Sequence, residues 1–422
     1  MQRIKSLVTQ LLNAAVRSYI KRNKIKVIAV AGSVGKTSTV SAIRTVLAQK
    51  YRVHQPATAY NTTKSVHVEI FDLPFATSLA GWAVTSVRVL FKSLGRSPYE
   101  VLVVEIGTDH PGELQEFAWL KPDMAVLTAI VPEHMEFFKT IEAVAAEELS
   151  VALFCDRLFC DAHTVENRFI TDSVMPKVTW YGQGTNFEVS DYKLASGKAT
   201  VTVKLRQELL SNIPVQVVGM HSTDALMAAA AIGVACNLSL NEISRGLQTV
   251  VPVKGRMQLL AGIRSSTLLD DSYNASPEAA KAALDVLYGL EVPQRVAVLG
   301  MMNEMGEYSE YAHREVGAYC NPDKLDLVLT VGADANEYLA TEAELQGCRV
   351  ERFTSPYAAG RYLTEQLQAH AAVLFKGSQN SVFVEESVKI LLADPADADR
   401  LVRQSSFWKR RKAEQFEDIT VV

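Results

Sequence analysis

Lys36 and Thr37 lie in the stretch Ala31-Gly-Ser-Val-Gly-Lys-Thr-Ser-Thr39, directly after the apolar run Val27-Ile-Ala-Val30. A buried strand, a glycine turn and a helix start are the parts of a phosphate-binding loop. Backbone N–H groups freed by Gly32 and Gly35 are expected to point at phosphate oxygens, at the positive end of the helix dipole. In this reading Gly32, Ser33, Gly35, Lys36, Thr37 and Ser38 cradle a nucleotide. Lys36 reaches the outer phosphates and the Thr37 hydroxyl ligates Mg²⁺. Val30 stands where the longer form of the pattern has its first glycine, and a plain tight turn is the alternative reading. Glu105 sits in a second apolar run, Val101-Leu-Val-Val-Glu-Ile106. An acid there is poorly placed for packing and well placed to share Mg²⁺ with Thr37. His134, in Pro-Glu-His-Met-Glu136, follows a third run; a lone histidine carries little on spacing alone.

The elements that must position these residues alternate. Apolar runs at 27–30, 101–106 and 124–128 are separated or followed by helical stretches ending near Gln49 and covering about 140–154 and 222–235. Such alternation predicts a parallel sheet covered on both faces. Residues 178–218 instead show short alternating segments such as Ala199-Thr-Val-Thr-Val-Lys204, read as an appended antiparallel group. Near Val250 the pattern restarts, with runs at 268–270, 296–299, 327–330 and 372–375 between helices. The fold class is therefore α/β: a P-loop central domain with a mostly parallel sheet, plus a C-terminal Rossmann-like α/β domain. The expected divisions are an N-terminal amphipathic helix at 1–25, a central domain at 26–252 and a C-terminal domain at 253–422, with Val251–Gly255 as hinge. Open α/β sheets of this kind hold ligands at the carboxyl ends of strands, here expected in the interdomain cleft.

With 422 residues the chain has room for two cores, and its net charge of −4 gives no electrostatic argument for nucleic acid. The charge is unevenly placed: twelve Lys or Arg precede the first acid, Glu69. Cys155, Cys160, Cys236, Cys320 and Cys348 are scattered without CxxC spacing, which predicts a reducing cytoplasm and neither disulfides nor zinc. Ile4, Leu7, Val8, Leu11, Leu12, Ala15, Val16, Tyr19 and Ile20 fall at helical spacing, with Arg3, Lys5, Arg17, Lys21 and Arg22 opposite. This predicts a helix packed on its own domain, with peripheral contact at the inner membrane surface through residues 1–25 as the alternative. The apolar stretch Leu79–Leu94 and the basic tail Phe407-Trp-Lys-Arg-Arg-Lys412 keep that alternative open. A monomer is expected.

Taken together, the residues resemble the Mur ligases. The carriers are the loop Gly-Ser-x-Gly-Lys-Thr-Ser, the stretch Val103-Val-Glu-Ile-Gly-Thr-Asp-His-Pro-Gly-Glu113, His134 and Leu269-Asp-Asp-Ser-Tyr-Asn-Ala-Ser-Pro277. Further matches are Gly255-Arg-Met257, Val298-Leu-Gly300 with Glu304-Met-Gly-Glu307, and Lys376-Gly-Ser378, so that the resemblance runs from about Lys26 to Leu392. It implies an ATP- and Mg²⁺-dependent amide ligase. A carboxylate acceptor is phosphorylated to an acyl phosphate, which an amine then attacks; the family member most alike adds a dipeptide to a peptidoglycan precursor. By this resemblance Lys36 contacts the β,γ-phosphates, Thr37 and Glu105 hold one Mg²⁺ and His134 a second. Arg256 approaches the γ-phosphate, Asp271 the ribose, and Asn274 joins the nucleotide site. Lys376 and Ser378 are implied to bind the amine substrate.

The sequence departs from the family in three places. Where the family carries a carbamylated lysine, counting from His134 gives Glu148, which is expected to supply the carboxylate instead, an exposed helix acid being the alternative. The adenine-contacting His-Asn-x-x-Asn reads His221-Ser-Thr-Asp-Ala225, and Met301 replaces an acid. About thirty residues precede the phosphate loop, too few for the separate UDP-sugar domain of full-length members. Three readings therefore stand: the dipeptide-adding ligase, a ligase acting on a non-UDP or lipid-linked carboxylate with an amino acid or peptide, and a nucleotide-binding scaffold without catalysis.

Overall fold

The computed structural model describes residues 2–54, 66–74, 76, 78–195 and 198–416. Side chains at 2–6, including Arg3, Ile4 and Lys5, and at His221 lie outside that description. The chain divides into two compact units, one of 1–132, 137–216 and 223–251, the other of 133–136, 217–222 and 252–422.

In the first unit, strands β1 (Lys26–Ala31), β2 (Val101–Glu105), β3 (Met124–Leu127), β4 (Arg157–Asp161) and β5 (Val178–Tyr181) form a parallel sheet in the order β2-β1-β3-β4-β5. β2 and β3 are buried along their whole length, as continuous apolar runs require when helices cover both faces. Strands β6 (Phe187–Ala195), β7 (Lys198–Leu205) and β8 (Glu208–Val215) make a separate antiparallel sheet. The appended group is thus smaller than its sequence suggests, because Val178–Tyr181 pairs in parallel with β4 and extends the main sheet.

The N-terminal helix Gln2–Arg22 buries Leu12, Val16, Tyr19 and Ile20, with Tyr19 edge-on to Phe71, while Leu7, Val8 and Leu11 are exposed. It packs on its own unit by one face, as its spacing predicts. A second helix, Leu79–Ser93, is started by the Ser78 side chain accepting the Gly81 N–H. Among the described residues no helix is long and apolar enough to cross a membrane.

The second unit holds β9 (Gln258–Ala261), β10 (Thr267–Asp271), β11 (Arg295–Gly300), β12 (Leu327–Val331), β13 (Val350–Phe353) and β14 (Ala372–Lys376) in the order β13-β12-β11-β14-β10-β9. All pairs are parallel except β9 with β10. Val296, Val298, Leu329, Val373 and Phe375 form its core with Leu363 and Val388 from flanking helices. The C-terminal helix Ser406–Gln415 is not a solvated basic face throughout: Lys412 is buried against Glu385 and Glu386.

Candidate active site

β1 runs into Gly32, and the helix Lys36–Leu47 begins four residues later with Gly35 as its left-handed N-cap at φ 85°. Gly32 has φ 124°, and a Cβ there would fall on the Thr128 hydroxyl and 2.8 Å from the Ala129 nitrogen. Only glycine fits. Thr128, just past β3, shapes the turn by donating to the carbonyls of Ala31 (3.1 Å) and Val34 (2.6 Å). The Ser33 N–H donates to the Ala129 carbonyl, and the Ser33 hydroxyl accepts from the Val131 N–H at 3.2 Å. Lys36 folds over the loop, its Nζ donating to the carbonyls of Gly32 (2.5 Å) and Ser33 (2.9 Å). The loop is therefore preformed around an ammonium at the positive end of a helix, with Thr37 and Ser38 half-buried in that helix's first turn.

One expectation needs correcting. The Gly32 N–H does not point at a phosphate position; it donates to Glu148 Oε2 at 2.8 Å, and the Ser33 N–H is likewise engaged within the protein. Anion-binding N–H groups are left to the later part of the loop and the helix start. Glu148 is no exposed helix acid: it is buried, on the helix Ile141–Leu149. Its neighbour Glu147, which spacing did not single out, accepts from the N–H groups of Gly112 and Leu114, each at 2.7 Å. Two successive acids in an alanine-rich helix thus hold two loops, and the doublet is the one signal the sequence offered.

Glu105 ends β2 opposite Val30 of β1 in the parallel register, buried, one strand over from the loop. Arg44, ion-paired to Glu69 at 3.1 Å and donating to the Val103 carbonyl, sets positive charge in its vicinity. Among the described residues no three His, Cys, Asp or Glu cluster as a protein-only metal cage. Mg²⁺ takes one or two protein oxygens with substrate phosphates completing its shell, and the Thr37 hydroxyl and the Glu105 carboxylate are donors of that kind.

In the second unit His134 takes a left-handed backbone (φ 52°), with Glu304 Oε2 2.7 Å from its Nδ1 and Glu133 Oε1 3.9 Å from its Nε2. Arg256 stands half-buried with its guanidinium 4.2 Å from the Tyr273 ring centroid. Asp271, Lys376 and Ser378 are brought together, but buried, with the backbone carbonyl of half-buried Asn274 among them. Asp271 accepts from the Met257 N–H (3.0 Å) and pairs with Lys376 Nζ at 2.8 Å, while Lys376 also donates to the Asn274 carbonyl (2.6 Å). Burial pulls the Lys376 ammonium below the ordinary lysine value against the pull of Asp271. Ser378 accepts from the Asn303 N–H at 3.0 Å and is buried. In this geometry Lys376 and Ser378 tie loops rather than line an open substrate surface, and Asp271 fixes the Arg256-Met257 turn. Arg403, also missed in the sequence, donates to the carbonyls of Ser272 and Tyr273 and to Glu385.

The Mur ligase middle domain family matches residues 30–233, and the family described as Mur ligase, glutamate ligase domain, matches 255–379. UDP-N-acetylmuramoyl-tripeptide–D-alanyl-D-alanine ligase of Bacillus subtilis is 26% identical over 390 residues, 91% of this chain and 79% of that protein. The fold is shared with the Thermotoga maritima MurF ligase solved with ADP (TM-score 0.71, 20% identity, 90% of this chain and 83% of that one). It is shared too with Mycobacterium tuberculosis folylpolyglutamate synthase solved with ADP and AMPPCP (TM-score 0.62, 16% identity, 92% and 97%). Both units of the chain are thus accounted for by one family's domains, and the chain belongs to the Mur ligase family.

Proposed function

We propose that this chain is a cytoplasmic, ATP-dependent amide ligase that adds D-alanyl-D-alanine to a muramoyl-peptide precursor of peptidoglycan. The observation that carries the reading is the preformed loop: Gly32 locked against Thr128, Lys36 over the turn, and Glu105 one strand away. In the first step an acceptor carboxylate oxygen attacks the γ-phosphorus of ATP, giving an acyl phosphate and ADP. In the second, the amine attacks the acyl carbon, phosphate leaves and the amine's proton is lost to solvent or base. Lys36 disperses charge on the β,γ-phosphates, as phosphoryl transfer demands. Thr37 and Glu105 would hold one Mg²⁺ and His134 a second, and the ions would supply neutralising charge. Glu148 adds a fixed carboxylate at the loop, Arg256 answers the γ-phosphate, and Asp271 with Asn274, Lys376 and Ser378 shapes the segment that presents it.

The test is a mass-spectrometric assay with Mg-ATP, UDP-muramoyl-tripeptide and D-alanyl-D-alanine. A product heavier by the dipeptide less water, matched by ADP, is expected. ATP turnover that responds only to a different carboxylate moves the acceptor, and ATP binding without any acceptor-dependent turnover overturns the ligase reading.

A further inference from the structure

The Leu79–Ser93 helix is packed inside out. Its buried positions Thr85, Val89 and Ser93 include two hydroxyl side chains, whereas its solvent arc is apolar apart from Arg88 and Lys92 at one edge. Ala80, Ala83, Val84, Val87, Phe91 and the C-cap Leu94 fall on that arc at helical spacing, and all are exposed. Val84 and Val87 are 52% and 51% exposed, Phe91 and Leu94 73% and 72%. Scattered exposed apolar residues are ordinary, but a continuous stripe along one helix face marks a docking surface.

The charge around the stripe selects what covers it. No acid occurs between Asp72 and Glu100, while Arg88, Lys92 and Arg96 are exposed along one flank. The N-terminal helix, also free of acids, adds exposed Leu7, Val8 and Leu11. Its end is tied to this helix: Arg22 donates to the Ser93 (2.5 Å) and Gly95 (3.0 Å) carbonyls, and Asn23 Oδ1 accepts the Ser97 N–H. Two joined helices therefore offer apolar side chains with cations and no counter-charge. A second copy of the chain would bring cation against cation. An anionic lipid surface takes both components, acyl chains meeting Phe91 and Leu94 and headgroups meeting Arg88 and Arg96, while the Lys92 ammonium donates to the Phe71 carbonyl.

We propose that the Leu79–Ser93 helix is a membrane-surface anchor that lies in the headgroup region of an anionic bilayer. This goes beyond the ligase reading and does not depend on it.

The experiment is vesicle flotation of the full chain with phosphatidylglycerol/phosphatidylcholine and with pure phosphatidylcholine vesicles, at low and high salt. The wild type is expected to float with the anionic vesicles only, and less at high salt. The double variant Val87→Ser/Phe91→Ser should lower binding at least tenfold, since each exchange removes one exposed apolar side chain from the lipid contact, while Leu345→Glu, at an exposed apolar site of the other unit, leaves it unchanged. Turnover measured without vesicles should be equal in wild type and double variant, so a failed anchor and a failed ligase are separable. No flotation, or flotation indifferent to the double variant, overturns the proposal. So does a wild-type dimer, seen by light scattering, that the double variant converts to monomer.

Discussion

Glu148 accepts the Gly32 N–H at 2.8 Å, so a buried carboxylate of the helix Ile141–Leu149 is bonded directly to the phosphate loop. A glutamine can accept the same bond without the charge. Glu148→Gln is expected to keep the wild-type Tm while lowering kcat about tenfold or more, whereas Glu148→Ala lowers both. Wild-type turnover should not respond to added bicarbonate, because the carboxylate is built in. Bicarbonate stimulation of the wild type would sink the idea.

Lys36 donates to the Gly32 and Ser33 carbonyls from within the loop. Lys36→Met keeps most of the side-chain volume and removes the ammonium. Turnover should fall by about 10²–10³-fold, the scale for losing one preorganised charge-stabilising donor. Steady-state kinetics at saturating ATP reads it.

Gly32→Ala forces a Cβ onto the Thr128 hydroxyl in a backbone conformation that alanine avoids. A loss of at least about 2 kcal/mol of stability is expected, visible in urea unfolding. Thr128→Ala in the same chain should recover only part of it, because the backbone nitrogens of Thr128 and Ala129 still crowd the site.

Asp270 is fully buried, its Oδ2 has no hydrogen-bond partner among the described residues, and burial lifts its carboxyl from 3.8 to about 6. The folded state therefore holds a proton that the unfolded chain gives up. That contribution is complete below pH 3.8 and is lost as pH rises through 6. Above neutrality the buried charge costs about 3 kcal/mol by the shift. Asp270→Asn, whose oxygen can still accept from Ser272, should gain in Tm relative to wild type at pH 8 compared with pH 4.5. Equal differences at the two pH values contradict this.

Lys412 and Arg403 share Glu385 inside the second unit, with Lys412 also 2.5 Å from Glu386. Removing one partner strands buried charge. Lys412→Met and Arg403→Ala are each expected to cost about 3–5 kcal/mol in denaturant unfolding. Arg403→Lys should recover little, since an ammonium cannot span Glu385 and the Ser272 and Tyr273 carbonyls at once.

β1, β2, β3, β10, β11, β12 and β14 were legible because each is a short apolar run, and the phosphate loop because its glycines and Lys36 are contiguous; β4, β9 and β13 were not, since charged or polar residues such as Arg157, Gln258 and Glu351 interrupt them. Val178-Thr-Trp-Tyr181 alternates like a hairpin strand, yet its partner is β4; pairing is a tertiary choice that local pattern does not encode. Thr128 acts on residues 94 and 97 positions away, a link no spacing reveals. Asp271 and Lys376 were recognisable as a pair of motifs, but their salt bridge to one another was not. Lys412 read as part of a basic tail open to a membrane surface, and three of its neighbours, Lys409, Arg410 and Arg411, are indeed exposed.

Arg403 and Lys412, the cations that neutralise Glu385 and Glu386, come after every strand of the second unit in the chain. On a growing chain those carboxylates stand without these counter-ions until Lys412 has emerged, so the second unit cannot close its interior earlier. Truncation ahead of Arg403 would therefore strike the second unit first, and leave the phosphate loop in a first unit that does not depend on these pairs.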